Sequence, residues 1–180
     1  MDRLMEVATE YSKLFGKDYI YTLETGMILH VYFIPGSFHH LIGLQKLIDI
    51  PLVTKSRRNN PVYIFKNILD GVITLNDIQK SSYFSDIKSR LNHFSQIKRM
   101  VEFEKIIVNF NPSLINSKLT KADYILYKRS NDNLYLNLFL KLDSSNNKKH
   151  IPLTFLPHLT DYYTYGQEIV KIVSMDILER

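Results

Sequence analysis

Residues 122–142 read ADYILYKRSNDNLYLNLFLKL. Two runs rich in β-branched and aromatic residues, Ala122–Arg129 and Leu134–Leu142, flank Ser130-Asn131-Asp132-Asn133. Asn, Asp and Ser bond their own backbone and tolerate left-handed dihedrals, so four in a row are a strong turn signal. The stretch predicts two strands joined by a turn. What surrounds it decides whether the protein is all-β or mixed.

Toward the C-terminus, Ser144-Ser145-Asn146-Asn147 is a second turn and His150–Leu156 a further strand. Pro152 lacks a ladder donor, which places that strand at an edge or puts the proline at its start. Gln167–Leu178 is ambiguous in periodicity, and its β-branched IVKIV favours a strand. Lys105–Phe110 is a strand on the other side.

Before it the period changes from two to about 3.6. Phe84, Ile87, Leu91, Phe94, Ile97, Met100 and Val101 form one stripe, predicting a helix capped by Ser82 or Ser85 and running to about Phe103. Thr74 or Asn76 caps a short helix to Lys80. Pro61 opens another to about Leu69, with Gly71 past its end. Ser37 caps a helix carrying Phe38, Leu41, Ile42, Gln45 and Ile48, closed by Pro51. A helix at 2–15 ends at Gly16, and Tyr19–Leu23 with Met27–Phe33 form a hairpin across Glu24-Thr25-Gly26. Helices grouped between strands imply an α+β fold, an antiparallel β-sheet with helices packed on it. Residues 1–180 read as one domain, with the helix at 1–15 separable as an appendage.

Hydrophobic residues make up 45% of the 180, enough for a sizeable core. The chain has no cysteine, which excludes disulfides, thiolate metal sites and cysteine nucleophiles and suits a reducing compartment. The N-terminus lacks a signal-peptide pattern, and no apolar run approaches the roughly 20 residues of a membrane span. The expectation is a soluble protein of the bacterial cytoplasm, with no membrane contact.

The net charge is +5, unevenly spread: residues 51–130 hold 14 Lys/Arg against 6 Asp/Glu. A basic middle segment favours a polyanion, hence RNA or DNA, although a solvated basic face has the same signature. A helix-turn-helix with a basic recognition helix is not evident, so a DNA-binding regulator ranks last.

Histidines 30, 39, 40, 93, 150 and 158 lack metal-ligand spacing, and the glycines form no phosphate loop. No cofactor or metal is expected. The residues suit metal-free RNA cleavage, in which the ribose 2′-OH is the nucleophile. The protein then supplies a base, an acid and cations for the phosphorane.

In FHHLIGLQKL (38–47), His40 lies within a turn of the expected helix start. There the helix dipole favours a neutral imidazole that could act as base. The alternative is a partly buried histidine bonding a backbone carbonyl. Lys46, the Lys55-Ser56-Arg57-Arg58 loop, and Lys128 with Arg129 are candidate phosphate contacts. HIPLTFLPHLTDYYTYGQ (150–167) gathers Thr154, His158, Tyr162, Tyr163, Tyr165 and Gln167, with rings able to stack bases.

FHHLIGLQKL, RLNHF (90–94), ADYILYKR (122–129), LYLNLFLKL (134–142), IPLTF (151–155) and YGQEIVKI (165–172) resemble the phage-type branch of the barnase–EndoU–colicin–RelE-like nucleases, over roughly residues 15–175. The resemblance implies helices on an antiparallel sheet and metal-independent RNA cleavage on the sheet face, leaving 2′,3′-cyclic phosphates. It puts the family histidine at His40 rather than His39, the strand hydroxyl at Thr154 and the amide at Gln167. Taken with the residue reading, which adds Lys46, the expected catalytic set is His40, Lys46, Thr154 and Gln167. Lys55, Arg57, Arg58, Lys128, Arg129 and Tyr163 are expected to bind RNA on their residue chemistry, since the family pattern does not assign the basic ones. Cas9 inhibitors that shorten the guide RNA look like proteins of this size and type. They make guide RNA one target and Cas9 one partner to test. A toxin acting on tRNA or mRNA and a non-catalytic host-protein inhibitor are the alternatives.

Overall fold

In the computed structural model, which describes residues 2–56 and 59–180, α1 (Arg3–Ser12) leads into the hairpin of β1 (Lys17–Leu23) and β2 (Ile28–Tyr32). Then come α2 (Phe38–Ile42), α3 (Pro61–Leu69), α4 (Leu75–Ile78), α5 (Ser85–His93) and α6 (Gln96–Phe103). The strands β3 (Ile106–Asn109), β4 (Tyr124–Arg129), β5 (Tyr135–Asp143), β6 (Asn146–His158) and β7 (Glu168–Glu179) complete the chain. The 122–142 stretch is the β4–β5 hairpin, paired from Tyr124↔Leu140 to Arg129↔Tyr135. Asn133 takes a left-handed φ of 61° in its turn.

The sheet corrects one expectation. It is a closed barrel in the order β1-β2-β6-β5-β4-β3-β7, with β7 returning to β1, and not an open antiparallel sheet. Twist and irregularity account for the curl. The register shifts at Thr22/Leu23 between β1 and β7, and at Phe139/Leu140 and Leu142/Asp143 between β5 and β6. Each such bulge bends its strand and adds right-handed twist. Closure is made by β2 and β6, which run parallel and share the pair Val31↔His150. Past that pair, α2 and α5 pack against β6. Pro152 therefore falls inside β6, beyond the last β2 partner, where its missing N–H takes no bond from that seam.

One face of the strands and the helices share the main core. Tyr19, Tyr21, Leu126, Leu138 and Phe155 meet Tyr11, Phe38, Phe65 and Phe94 there. Tyr11 sits among the rings of Phe15, Phe33, Phe38, Phe65 and Phe94, at centroid distances of 5.1–6.0 Å. Thus α1 is built into the core and is no appendage: Leu4, Val7 and Ala8 are fully buried. Strand alternation sends Phe139 to the opposite face. There it joins Val108, Phe110, Ala122 and Ile125 under a cover that includes Leu153 and Tyr163.

Asp2 fastens two helices at once. Its carboxylate accepts from Leu4 N (2.9 Å) and Met5 N (3.3 Å) at the start of α1, and from Leu75 N (2.9 Å) at the start of α4. The helix expected from 82 or 85 to 103 is broken into α5 and α6 at Phe94–Ser95. The helix expected from Ser37 stops after five residues, at Gly43 with φ 90°, and a 3-10 turn at Leu44–Lys46 follows. A Cβ at Gly43 would come within 2.9 Å of Ile87 Cγ2 and 3.4 Å of Arg90 Cδ. The reversal at Gly43 therefore serves close packing of α2 on α5.

Candidate active site

The two neighbouring histidines have different fates. His39 is buried, and its Nε2 lies 2.8 Å from Val53 O, so it ties α2 to the following loop. His40 is exposed and lines a cleft of about 180 Å³ with Ser37, Lys141, Ile151 and Leu153. Because α2 is so short, His40 stands in its last turn. The helix-start argument for a neutral imidazole therefore fails.

Neutrality has another source. Partial desolvation lowers the His40 pKa, and the charges of His39, Lys55, Lys141 and Arg90 lower it further. A ring surrounded by cations loses its own proton readily and is free to take one.

Arg90 of α5 adjoins the cleft through the backbone of His40. Its Nη1 donates to His40 O at 3.2 Å and to Thr154 Oγ1 at 3.1 Å, and the residue is 7% exposed. Among the described residues no carboxylate lies within ion-pair distance of its guanidinium. A buried charge without a counter-ion is costly unless something compensates it. The two neutral acceptors, His40 O and Thr154 Oγ1, supply part of that compensation. Burial lowers the Arg90 pKa, while Tyr163 and Asp86 act the other way. An arginine stays charged nonetheless.

Thr154, also buried, sits beside the β6 bulge at Leu153, opposite Phe139. Bulges re-aim side chains at functional sites. Lys141, opposite Ile151, shares the Thr154 face of the sheet and lines the cleft. Tyr163 packs edge-on against Phe139 at 5.1 Å and against His158 at 5.5 Å. Burial raises its pKa and the Arg90 charge lowers it.

His40 and Thr154, expected as partners, are brought together through Arg90, and Lys55 adds its charge to His40. Other expected residues lie apart. Lys46 is exposed at the end of its 3-10 turn and makes no side-chain hydrogen bond among the described residues. Gln167 clamps the backbone of Asn111: its Oε1 accepts from Asn111 N at 2.8 Å, and its Nε2 donates to Asn111 O at 3.1 Å. That amide extends the β3–β7 ladder and has a structural role. Lys128 is paired with Glu104 at 3.3 Å. Arg129 lies over the ring of Tyr135. Arg57 and Arg58 lie outside the described residues.

Arg90 and Lys141 were not singled out from the sequence. Arg90 had a visible signal, a charge at helical spacing between Ile87 and Phe94 on the apolar stripe. Among the described residues, no group of three or more His, Asp or Glu is placed to hold a metal ion. No described helix is long and apolar enough to cross a membrane.

The cleft presents His40 and Lys141 on a curled sheet, with the buried Arg90 and Thr154 hydrogen-bonded to each other next to its lining, a set of groups suited to acid–base work on an anion. The family comparison agrees in kind. The model of the phage-Barnase-EndoU-ColicinE5/D-RelE like nucleases, group 4, matches residues 3–180, and the chain belongs to that family of nucleases. No curated protein and no solved structure matches it.

Proposed function

We propose that the protein is a metal-independent endoribonuclease with its centre at His40, Arg90, Lys141 and Thr154. The carrying observation is Arg90, a buried guanidinium with no carboxylate partner among the described residues, bonded to both His40 O and Thr154 Oγ1. Nuclease membership makes nucleic acid the expected substrate. An available imidazole base favours RNA, whose 2′-OH supplies the nucleophile.

In this scheme neutral His40 takes the 2′-OH proton as O2′ attacks phosphorus. Arg90 and Lys141 stabilise the negative charge on the non-bridging oxygens. Thr154, held by Arg90, positions one of those oxygens. Tyr163, kept protonated by burial, gives its proton to the departing 5′-oxygen. The products are a 2′,3′-cyclic phosphate and a 5′-hydroxyl. Proton return through water from His40 to Tyr163 resets the site.

RNA carried by a host protein, a Cas9 guide included, is the target we propose, and an anti-CRISPR role would follow from that choice. The test incubates the protein with labelled guide RNA, tRNA and mRNA in EDTA, with and without Cas9. A His40→Ala control runs beside each. Fragments ending in cyclic phosphate and lost in the variant are expected. Intact RNA in every lane would refute the enzymatic reading for these substrates and favour a binding inhibitor.

A further inference from the structure

The face that carries Thr154 continues along β5 and β6 away from His40. Strand alternation puts Asn137 and Tyr135 of β5 on it, with Leu156 and His158 of β6. From β4, Tyr127 stands opposite Asn137, and Arg129 opposite Tyr135. His158 is four residues from Thr154, about 13 Å along the strand.

The rings of this strip are arranged in faces. Tyr127 and Tyr135 stack at 6.0 Å with planes 25° apart. Arg129 Cζ lies 5.6 Å from the Tyr135 centroid. His158 and Tyr162 stack at 5.6 Å and 30°. Tyr162 is 43% exposed, and Arg129 is exposed. On the same face Asn137 is buried with its Oδ1 lacking a partner, while its Nδ2 donates to Tyr135 O and Leu156 O.

Stacked rings with an arginine among them suit one chemistry above others. Unpaired bases stack on aromatic faces whatever their sequence, and arginine adds cation–π attraction and a phosphate contact. A duplex hides its base faces inside the helix and has nothing to offer such a strip.

We infer that this strip is a subsite for unpaired nucleotides flanking the scissile phosphate, so that the site selects single-stranded RNA. The inference rests on the nuclease reading above and names its substrate class.

The test measures equilibrium binding of a 2′-O-methyl RNA of about ten nucleotides, within the usual site sizes for single strands. This probe lacks the 2′-OH nucleophile and cannot be cleaved. Fluorescence polarisation compares the single strand with its blunt duplex for the wild type, Tyr135→Ala, Tyr162→Ala and the corresponding Phe variants. Single-strand binding should exceed duplex binding. Each alanine should weaken it about tenfold, the loss of one stacked base, and each phenylalanine should restore it. Alanine variants that bind like the wild type, phenylalanine variants as weak as alanine, or duplex bound as tightly as single strand would each overturn the inference. If the binding pattern holds but the wild type cleaves no RNA in EDTA, the strip stands and the catalytic scheme falls.

Discussion

Replacing Arg90 with methionine separates stability from catalysis. The substitution keeps an unbranched stem against Gly43 and removes the guanidinium. Two charge-assisted hydrogen bonds go, each contributing about 1.5–3 kcal/mol. Set against them is the desolvation cost of a buried cation with no carboxylate partner among the described residues, several kcal/mol, which the variant no longer carries. The opposing terms are of similar size, so the folded state should change by no more than about 2 kcal/mol, in either direction. Catalysis has no such compensation. Losing a preorganised donor to the developing charge should lower the cleavage rate about 100- to 1,000-fold, or roughly 3–4 kcal/mol of transition-state stabilisation. Urea unfolding gives the first quantity, and single-turnover cleavage in EDTA the second. A variant that loses more than about 4 kcal/mol of stability and still cleaves at the wild-type rate per folded molecule would make Arg90 a packing residue and refute the reasoning.

Three further outcomes are expected. His39 and His150 both have pKa values lowered by burial, so the unfolded chain binds more protons than the folded one below pH 6.5. Stability should be complete above that pH and fall as the pH drops toward the folded values. Urea midpoints from pH 7.5 to 5 would show this, and a flat profile would contradict it. Cleavage needs neutral His40, so the acidic limb of kcat/KM should lie below pH 6.5. Lys141→Met removes a like charge and should move that limb to higher pH. An unmoved limb would take Lys141 out of the electrostatics of His40. Asp2→Ala frees the starts of both α1 and α4 and should cost about 1–3 kcal/mol by thermal or urea unfolding, more than a single cap. A loss below about 0.5 kcal/mol would show that these bonds contribute little.

Much of the element order was legible because its signals are local. The turn at 130–133, the proline at 61 and the apolar stripe of 84–101 each act within a few residues. Barrel closure was not legible. It depends on bulges at Thr22/Leu23 and Phe139/Leu140 and on which strands β7 joins, and none of these has a pattern in its own neighbourhood. The break at Phe94–Ser95 was hidden for a related reason, since the apolar spacing runs through it without a glycine or proline. At the site, the contrast between His39 and His40 followed from the family pattern and not from periodicity. The clamp of Gln167 on Asn111 was not legible because an amide near a tyrosine-rich loop has the same sequence appearance whether it meets phosphate or backbone. Arg90 escaped because it stands on a helix read for its apolar residues.

The closing seam of the barrel has a mechanical consequence. A ring of strands resists deformation only as well as its weakest joint, and between β2 and β6 the backbone pairing among the described residues is Val31↔His150 alone, with the Lys149–Asp18 ion pair (2.6 Å) and the Tyr32–Asp143 hydrogen bond beside it. The β1–β2 hairpin is anchored along its other side by a long ladder to β7, so it forms a leaf with one margin held by backbone and one held mainly by side chains. That second margin lies beside the cleft and not across the molecule from it. Elastic give is thus concentrated beside the cleft, while the aromatic cluster around Tyr11 stays closed. Amide exchange should register this as early opening at Val31 and His150, well before the β4–β5 ladder yields.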